Sequence, residues 1–146
     1  MPTNKVSHDV WEVFEEFENA KTRKERIEIL KSNERHWAMR DVLQGTFDDR
    51  VQWNLPGGAV PYTPQPEGAP TPATLLKKHL DFKYFVKGLP TSENLLSVKR
   101  ERMFCDVLES IDCRDAVILV SMINKKPPAK GLTKKIVQEA LPNLIP

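Results

Sequence analysis

The sequence is poor in the residue types that build disulfides and metal sites. Its two cysteines, Cys105 and Cys113, stand eight positions apart in apolar surroundings, which favours free, buried thiols in a reducing compartment. Its three histidines, His8, His36 and His79, lie far apart, and none has metal-ligand spacing to a cysteine or a carboxylate. His79 is expected at a surface or boundary position. We therefore expect no metal and no cofactor.

Long apolar runs and catalytic motifs are absent as well. No segment reaches the roughly 20 apolar residues of a membrane span, and the N-terminus lacks the apolar core of a signal peptide. The stretches KGLP and KGLT lack the flanking glycines of a phosphate-binding loop, and there is no nucleophile elbow. These absences predict a cytoplasmic protein that is not an enzyme and does not bind a membrane.

Charge is distributed unevenly along a chain whose formal net charge is only +2. Residues 1–30 carry five basic and seven acidic side chains, a net charge of −2. Residues 121–146 carry five lysines and one glutamate, a net charge of +4. This asymmetry predicts that the C-terminal end favours an anionic partner, although the total charge of the chain does not indicate a nucleic-acid-binding protein.

Hydrophobic periodicity predicts an all-α protein, with one compact helical domain spanning residues 1–146. No strand-period segment and no internal repeat interrupts the pattern. About seven helices are expected. They span residues 7–20, 22–33, 33–45, 73–88, 91–111, 112–124 and 133–142.

Capping residues and apolar positions set the expected ends and faces of these helices. Thr22 and Glu25 have capping-box spacing, so that each side chain satisfies a free amide of the first turn. The other expected N-caps are Ser7, Asn33, Thr91 or Ser92, Asp112 and Thr133, and Gly45 is the expected C-cap. The positions counted as apolar and core-facing include Trp37, Leu80, Leu96 and Val98.

Residues 46–72 form a long loop that is rich in proline and glycine. Six of the twelve prolines and three of the six glycines fall in this segment, a density that excludes a regular helix. Its apolar residues, among them Trp53 and Tyr62, predict that it packs on the body in extended form. We expect Phe47 and Trp53 to be packing anchors and not base-stacking platforms.

Residues 112–146 form a helix, a turn that carries lysine and proline, and a second short helix from Thr133. Gly131 is expected to take the positive φ that a tight helix–helix turn requires. The second helix would offer free amides, the positive end of its dipole and the Thr133 hydroxyl to a phosphate. Lys130, Lys134 and Lys135 would add charge. A lysine-rich loop that only solvates the surface is the alternative that the spacing leaves open.

Three stretches carry a resemblance to a known family: KTRKERIEILKSN, ERMFCDVLESI and LVSMINKKPPAKGLTKKIVQEALPNLIP. Their order resembles the N-terminal helical DNA-binding domain of ATP-dependent DNA ligases, most closely the small form of T-even-type phages. In that family a helix, a glycine turn and a helix ending in a proline-bounded Leu-Ile precede the catalytic nucleotidyltransferase domain. The likeness covers most of the chain, but the proline-rich loop departs from it. The sequence also resembles an uncharacterised small protein family of T-even-like tailed phages.

The resemblance implies a ligase-like fold and a stand-alone, non-catalytic protein that binds the duplex-DNA backbone with little sequence specificity. Such a protein would act at nicks or ends during phage replication or repair, in the cytoplasm of the infected host. The adenylated-lysine signature KxDG is absent, so ligation is not implied. The implied DNA-binding residues that match the glycine turn are Lys130, Gly131, Thr133, Lys134 and Lys135, and charge adds Lys125 and Lys126.

Two other functions remain open from the sequence. The same fold could be a protein-interaction module that binds a phage or host replication protein, using the acidic first helix and the segment PYTPQPEGAPTP. The protein could also be a minor component of the virion. The sequence does not predict an oligomeric state.

Overall fold

The computed structural model describes residues 8–146, so Ser7, the expected cap of the first helix, lies outside the described part. That part is all-helical, as predicted, and contains no strand. It has eight α-helices where about seven helices were expected. They are α1 (Val10–Asn19), α2 (Arg23–Ser32), α3 (Trp37–Phe47), α4 (Leu75–Lys78), α5 (Pro90–Glu93), α6 (Ser97–Ser110), α7 (Cys113–Ile123) and α8 (Lys134–Ala140), with a 3₁₀ segment at His79–Tyr84.

The apolar helix α7 lies at the centre of a single compact bundle and packs against α1, α3 and α6. Its Leu119 and Met122 are fully buried, together with Phe17 of α1 and Leu43 of α3. The last helix, α8, packs against α2, which also packs against α1. The C-terminal end of the chain therefore returns to the corner between α1 and α2, which places the basic turn beside these two helices.

Two of the predicted helices are each divided in the structure. The fourth continues beyond α4 as the 3₁₀ segment, and the fifth is split into α5 and α6. The split lies at Leu96, whose backbone is extended. The buried guanidinium of Arg100 donates to the carbonyl oxygens of Ser92 (3.1 Å) and Leu95 (3.0 Å) at the break, and the Ser92 carbonyl also accepts from the Leu95 amide at 3.1 Å.

The predicted N-caps Thr22, Asp112 and Thr133 are confirmed, because each side chain accepts a hydrogen bond from an amide of the first turn. The other described cap predictions are wrong. Asn33 ends α2, and the cap of α3 is His36, whose Nδ1 accepts from the Met39 amide at 3.1 Å. The remaining corrections are that Asp9 caps α1, Leu89 precedes α5 in place of a Thr91 or Ser92 cap, and Gly45 lies inside α3.

Gly45 is required inside α3 by close packing and not by its backbone conformation. A Cβ there would lie 2.9 Å from Sδ of Met122 and would also overlap the ring of Trp53. The Gly45 carbonyl accepts a hydrogen bond from the Trp53 indole at 2.9 Å. Only a glycine lets the loop and α7 approach the helix this closely.

The solvent exposure of several side chains differs from what their residue type predicts. Trp37, Leu80, Leu96 and Val98 were expected in the core, but they are between 61% and 80% exposed. His79 was expected near the surface, but it is buried, and its Nδ1 lies 2.6 Å from the carboxylate of Asp41.

The proline-rich loop runs from the end of α3 to the start of α4 and packs on the body, as predicted. Trp53 forms an antiparallel bridge with Val86, and the Asn54 amide donates to the Phe85 carbonyl at 2.7 Å. The Trp53 ring packs edge-on against Phe82, with centroids 5.8 Å apart. Trp53 is therefore a packing anchor. None of the helices in residues 8–146 is long and apolar enough to cross a membrane.

Candidate nucleic-acid interface

Lys125 follows the C-cap of α7 and directs its ammonium group into the protein. Its φ is +57°, a left-handed conformation that commonly follows a helix. Its Nζ donates to the carbonyl oxygens of Gly45 (2.8 Å) and Asp48 (3.0 Å) at the C-terminal end of α3. Burial lowers the pKa of this ammonium. Lys125 therefore stabilises the negative end of a helix, and it does not join the lysines that face solvent.

Gly131 forms the turn that the sequence predicted, with a φ of +83°. A Cβ at this position would overlap Nη1 of Arg26, so the guanidinium of Arg26 lies directly against the glycine backbone. The same guanidinium lies over the ring of Phe17, 5.4 Å from its centroid. Gly131 is thus required both by the backbone conformation and by the close approach of a cation from α2.

The amide next to Gly131 is already occupied by an acidic group of the protein itself. Oε2 of Glu18, at the end of α1, accepts a hydrogen bond from the Lys130 amide at 2.6 Å. Nη2 of Arg26 reaches the Glu18 carbonyl oxygen at 3.5 Å. The turn is therefore attached to the corner between α1 and α2 by one carboxylate and one guanidinium.

The start of α8 is held by two further contacts. The Thr133 hydroxyl oxygen accepts from the Ile136 amide at 3.3 Å, so this side chain caps the helix. Nζ of Lys134 lies 3.5 Å from the carboxylate of Asp49, which follows α3. The predicted residues Thr133 and Lys134 thus lie at the turn but are partly engaged by the protein.

Three of the predicted lysines, Lys126, Lys130 and Lys135, have exposed side chains. Within residues 8–146 no carboxylate lies within ion-pair distance of any of their ammonium groups. Lys126 and Lys130 are on the segment that joins α7 to α8, whose backbone is fixed by Lys125, Gly131 and the contacts of Glu18, and Lys135 is in the first turn of α8. We call these three exposed lysines, together with the backbone that carries them, the lysine turn.

The structure adds residues that the sequence did not single out. Glu18 and Arg26 lie more than 100 positions before Lys130 and Gly131, and Asp49 lies 85 positions before Lys134. Only the pattern of unlike charges at the two ends of the chain could have suggested such contacts.

The described part contains two free cysteines and no cluster of potential metal ligands. Cys105 and Cys113 are free, as expected, but both are half-buried and not fully buried. Burial raises the pKa of the Cys105 thiol, which disfavours the nucleophilic thiolate. No group of histidine, cysteine and carboxylate side chains within residues 8–146 is arranged to hold a metal ion.

A groove of about 420 Å³ lies between α1, α7 and the proline-rich loop. Val117 of α7 lines it with 59% of its surface exposed, next to Trp11 and Tyr62. Glu15 and Glu18 of α1 also line the groove. Arg114 also lines the groove, but its guanidinium donates two hydrogen bonds to the carboxylate of Asp112, at 3.0 and 2.9 Å, so its charge is paired. The groove is therefore apolar, with acidic groups along α1.

Comparison with known proteins gives a family but no activity. A search of curated proteins finds no match to this chain. A family model described as a family of unknown function, DUF6433, matches residues 13–127. The matched segment includes most of α1, all of α2 to α7 and the proline-rich loop, whereas Lys130, Gly131 and α8 lie beyond it. Since the match spans most of the sequence, the chain belongs to the DUF6433 family.

Proposed function

We propose that this protein is a non-catalytic duplex-DNA-binding protein that contacts the phosphate backbone with little sequence preference. The observation that carries the proposal is the lysine turn, in which the exposed Lys126, Lys130 and Lys135 project from an ordered segment. Lysine is a compact point charge that attracts phosphate without the planar geometry that reads a base edge. Phosphate contacts of this kind position a protein on DNA but do not specify a sequence.

The resemblance to the DNA-binding domain of phage DNA ligases also supports the proposal. The segment LVSMINKKPPAKGLTKKIVQEALPNLIP, which carries that resemblance, contains the whole lysine turn. The same resemblance favours nicked or broken duplex as the target and a role in phage replication or repair. Non-specific backbone binding of this type has a Kd of roughly 10⁻⁴ to 10⁻⁶ M at physiological salt.

The test is a fluorescence-anisotropy titration of intact and nicked duplex with the wild-type protein and two triple variants. Lys126, Lys130 and Lys135 are changed to alanine in the first variant. Lys77, Lys87 and Lys99, which are also exposed, are changed to alanine in the second variant, which therefore has the same net charge. We expect the first variant to bind at least ten times more weakly than the second. Equal affinities of the two variants, or no binding by the wild type at low salt, would refute the proposal.

A second candidate function is a protein-interaction module, and the groove beside α1 specifically favours it. One wall of the groove contains Tyr62 and Pro64, which belong to the PYTPQPEGAPTP segment. The opposite wall is formed by the acidic helix α1. The exposed apolar side chain of Val117 suits a partner segment that is apolar and basic. A partner that co-purifies after nuclease treatment, and that is lost in Val117→Asp but not in Val98→Asp, would favour this function over DNA binding.

A further inference from the structure

The contact between Glu18 and the Lys130 amide has the chemistry of a bound anion. A carboxylate oxygen accepts a backbone N–H at 2.6 Å, a short distance that is typical of a hydrogen bond with a charged acceptor. The amide belongs to the residue before Gly131, in the turn that carries the exposed lysines. The position that a phosphate oxygen would take at this amide is therefore filled by a side chain of the same protein.

The surroundings of this position are electropositive for reasons that do not depend on Glu18. The guanidinium of Arg26 lies against Gly131, and its Nε is buried without a hydrogen-bond partner in the described residues. The ammonium group of Lys130 belongs to the same residue as the amide and is exposed. Neither cation forms an ion pair with the Glu18 carboxylate, so the positive charges of Arg26 and Lys130 beside this amide remain available to a phosphate.

We propose that the Lys130 amide, with Arg26 beside it, is an anion site for a backbone phosphate, and that Glu18 occupies this site in the unbound protein. This inference rests on the proposed DNA-binding function. It adds that the Glu18 carboxylate lowers the affinity of the protein for DNA. A phosphate that binds here displaces the carboxylate, which competes at the high effective concentration of a group on the same chain. Even without displacement, the carboxylate repels a phosphate that approaches the lysine turn.

The consequence is that removal of the Glu18 carboxylate strengthens DNA binding. In Glu18→Ala the Lys130 amide is left open, and in Glu18→Gln the hydrogen bond is kept but the charge is removed. We expect Glu18→Ala to bind duplex at least fivefold more tightly than the wild type, with Glu18→Gln between them. Glu16→Ala is the matched control, because Glu16 is an exposed glutamate of the same helix that makes no hydrogen bond to the turn.

Two measurements test the inference and separate it from the proposed function. The first is the duplex titration with the wild type, both Glu18 variants and Glu16→Ala, each checked for native helix content by circular dichroism. The second follows the Lys130 and Gly131 amide resonances by NMR while inorganic phosphate is added. We expect phosphate to shift the Lys130 amide more strongly, and at a lower concentration, in Glu18→Ala than in Glu16→Ala.

The outcomes divide as follows. If the wild type binds duplex but Glu18→Ala binds no more tightly than Glu16→Ala, the inference is wrong and the proposed function is untouched. A Lys130 amide that does not respond to phosphate in Glu18→Ala also overturns the inference. A phosphate response at Lys130 in Glu18→Ala without duplex binding by any variant supports the anion site but refutes the DNA-binding function, and it identifies free phosphate groups as the ligand.

Discussion

At the scale of single residues, the properties of a buried ionisable group depend on its contacts more than on its residue type. Asp115 is 1% exposed, and its carboxylate accepts a hydrogen bond from the Trp11 amide at 2.9 Å. Burial is the main reason that its pKa is raised to about 7. This carboxyl group therefore connects α7 to the first turn of α1 and titrates near neutral pH.

The raised pKa of Asp115 predicts a loss of stability as the pH rises. Between the unfolded-state pKa of 3.8 and the folded-state pKa of about 7, the folded state binds more protons, so the free energy of unfolding falls with increasing pH. Asp115→Asn keeps the acceptor for Trp11 and cannot ionise. Urea unfolding should show that Asp115→Asn gains roughly 2 kcal/mol relative to the wild type between pH 5 and pH 8. Asp106→Asn, at an exposed carboxylate of α6, is the control, and parallel pH profiles of the wild type and Asp115→Asn would contradict the prediction.

Lys125 gives a second prediction at this scale. Lys125→Met keeps a long side chain of similar size, but the Gly45 and Asp48 carbonyl oxygens lose a charged donor. We expect a loss of about 1–3 kcal/mol in the free energy of unfolding, with a change of less than twofold in duplex affinity. Lys126→Ala should show the opposite pattern, with weaker duplex binding and almost unchanged stability. The prediction fails if Lys125→Met weakens DNA binding as much as Lys126→Ala does.

At the scale of elements, the connection between α7 and α8 is an ordered turn, because backbone conformation and side-chain contacts agree there. Lys125 and Gly131 both take positive φ values, which turn the chain back toward the corner of α1 and α2. Glu18 and Arg26 then fix the turn at that corner. The order of the lysine turn is therefore a property of three helices and not of the turn sequence alone.

A substitution at Gly131 tests this account of the turn. Gly131→Ala meets both the cost of positive φ and an overlap with Arg26, whereas Gly58→Ala meets only the cost of positive φ, since open space surrounds that Cβ. Thermal unfolding should show a loss of about 1 kcal/mol for Gly58→Ala and a clearly larger loss for Gly131→Ala. Equal losses would show that the contact with Arg26 is unimportant.

Trp53 is one of the side chains that hold the proline-rich loop on the body, and it can be removed. Trp53→Ala deletes the indole that bonds the Gly45 carbonyl and packs on Phe82. We expect a loss of about 3 kcal/mol and faster proteolysis within residues 48–74, measured by urea unfolding and by mass spectrometry of the fragments. The control is Trp37→Ala, because that ring is 61% exposed and its removal should change stability by less than about 0.5 kcal/mol. A loop that resists proteolysis in Trp53→Ala would show that its other contacts are sufficient.

At the scale of the whole molecule, the net charge of +2 is too small to draw the protein to DNA by itself. The lysine turn is positive, whereas α1 is acidic and lies beside it. The proposed DNA binding therefore depends on the local charges of the lysine turn and on the orientation that the acidic helix α1 imposes. The molecule is better described by the separation of its charges than by their sum.

The salt dependence of duplex binding follows from this local set. If Lys126, Lys130 and Lys135 each neutralise one phosphate, the logarithm of the affinity should fall with the logarithm of the salt concentration with a slope of about −2.7. The triple alanine variant should have a slope close to zero. Anisotropy titrations between 50 and 200 mM NaCl measure both slopes, and a slope near zero for the wild type would exclude the lysine turn as the contact surface.

The helical class, most helix positions and three of the caps could be predicted from the sequence, because these depend on residues within a few positions of one another. The sequence also predicted that Gly131 takes positive φ. It did not determine that Trp37, Leu80, Leu96 and Val98 face solvent, since helical periodicity places a residue on a face but does not say which face is covered.

Which of the lysines face solvent depends on contacts between residues that are distant in the sequence. Lys125 and Lys130 are both lysines of one basic segment, yet one lies against the end of α3 and the other faces solvent. The Lys130 amide meets Glu18, which is 112 positions away in the chain. Contacts over such separations depend on how α1, α2 and α8 pack, and local sequence patterns carry no information about that packing. For this reason the sequence predicted a basic turn, whereas the structure placed a carboxylate of the same protein at its centre.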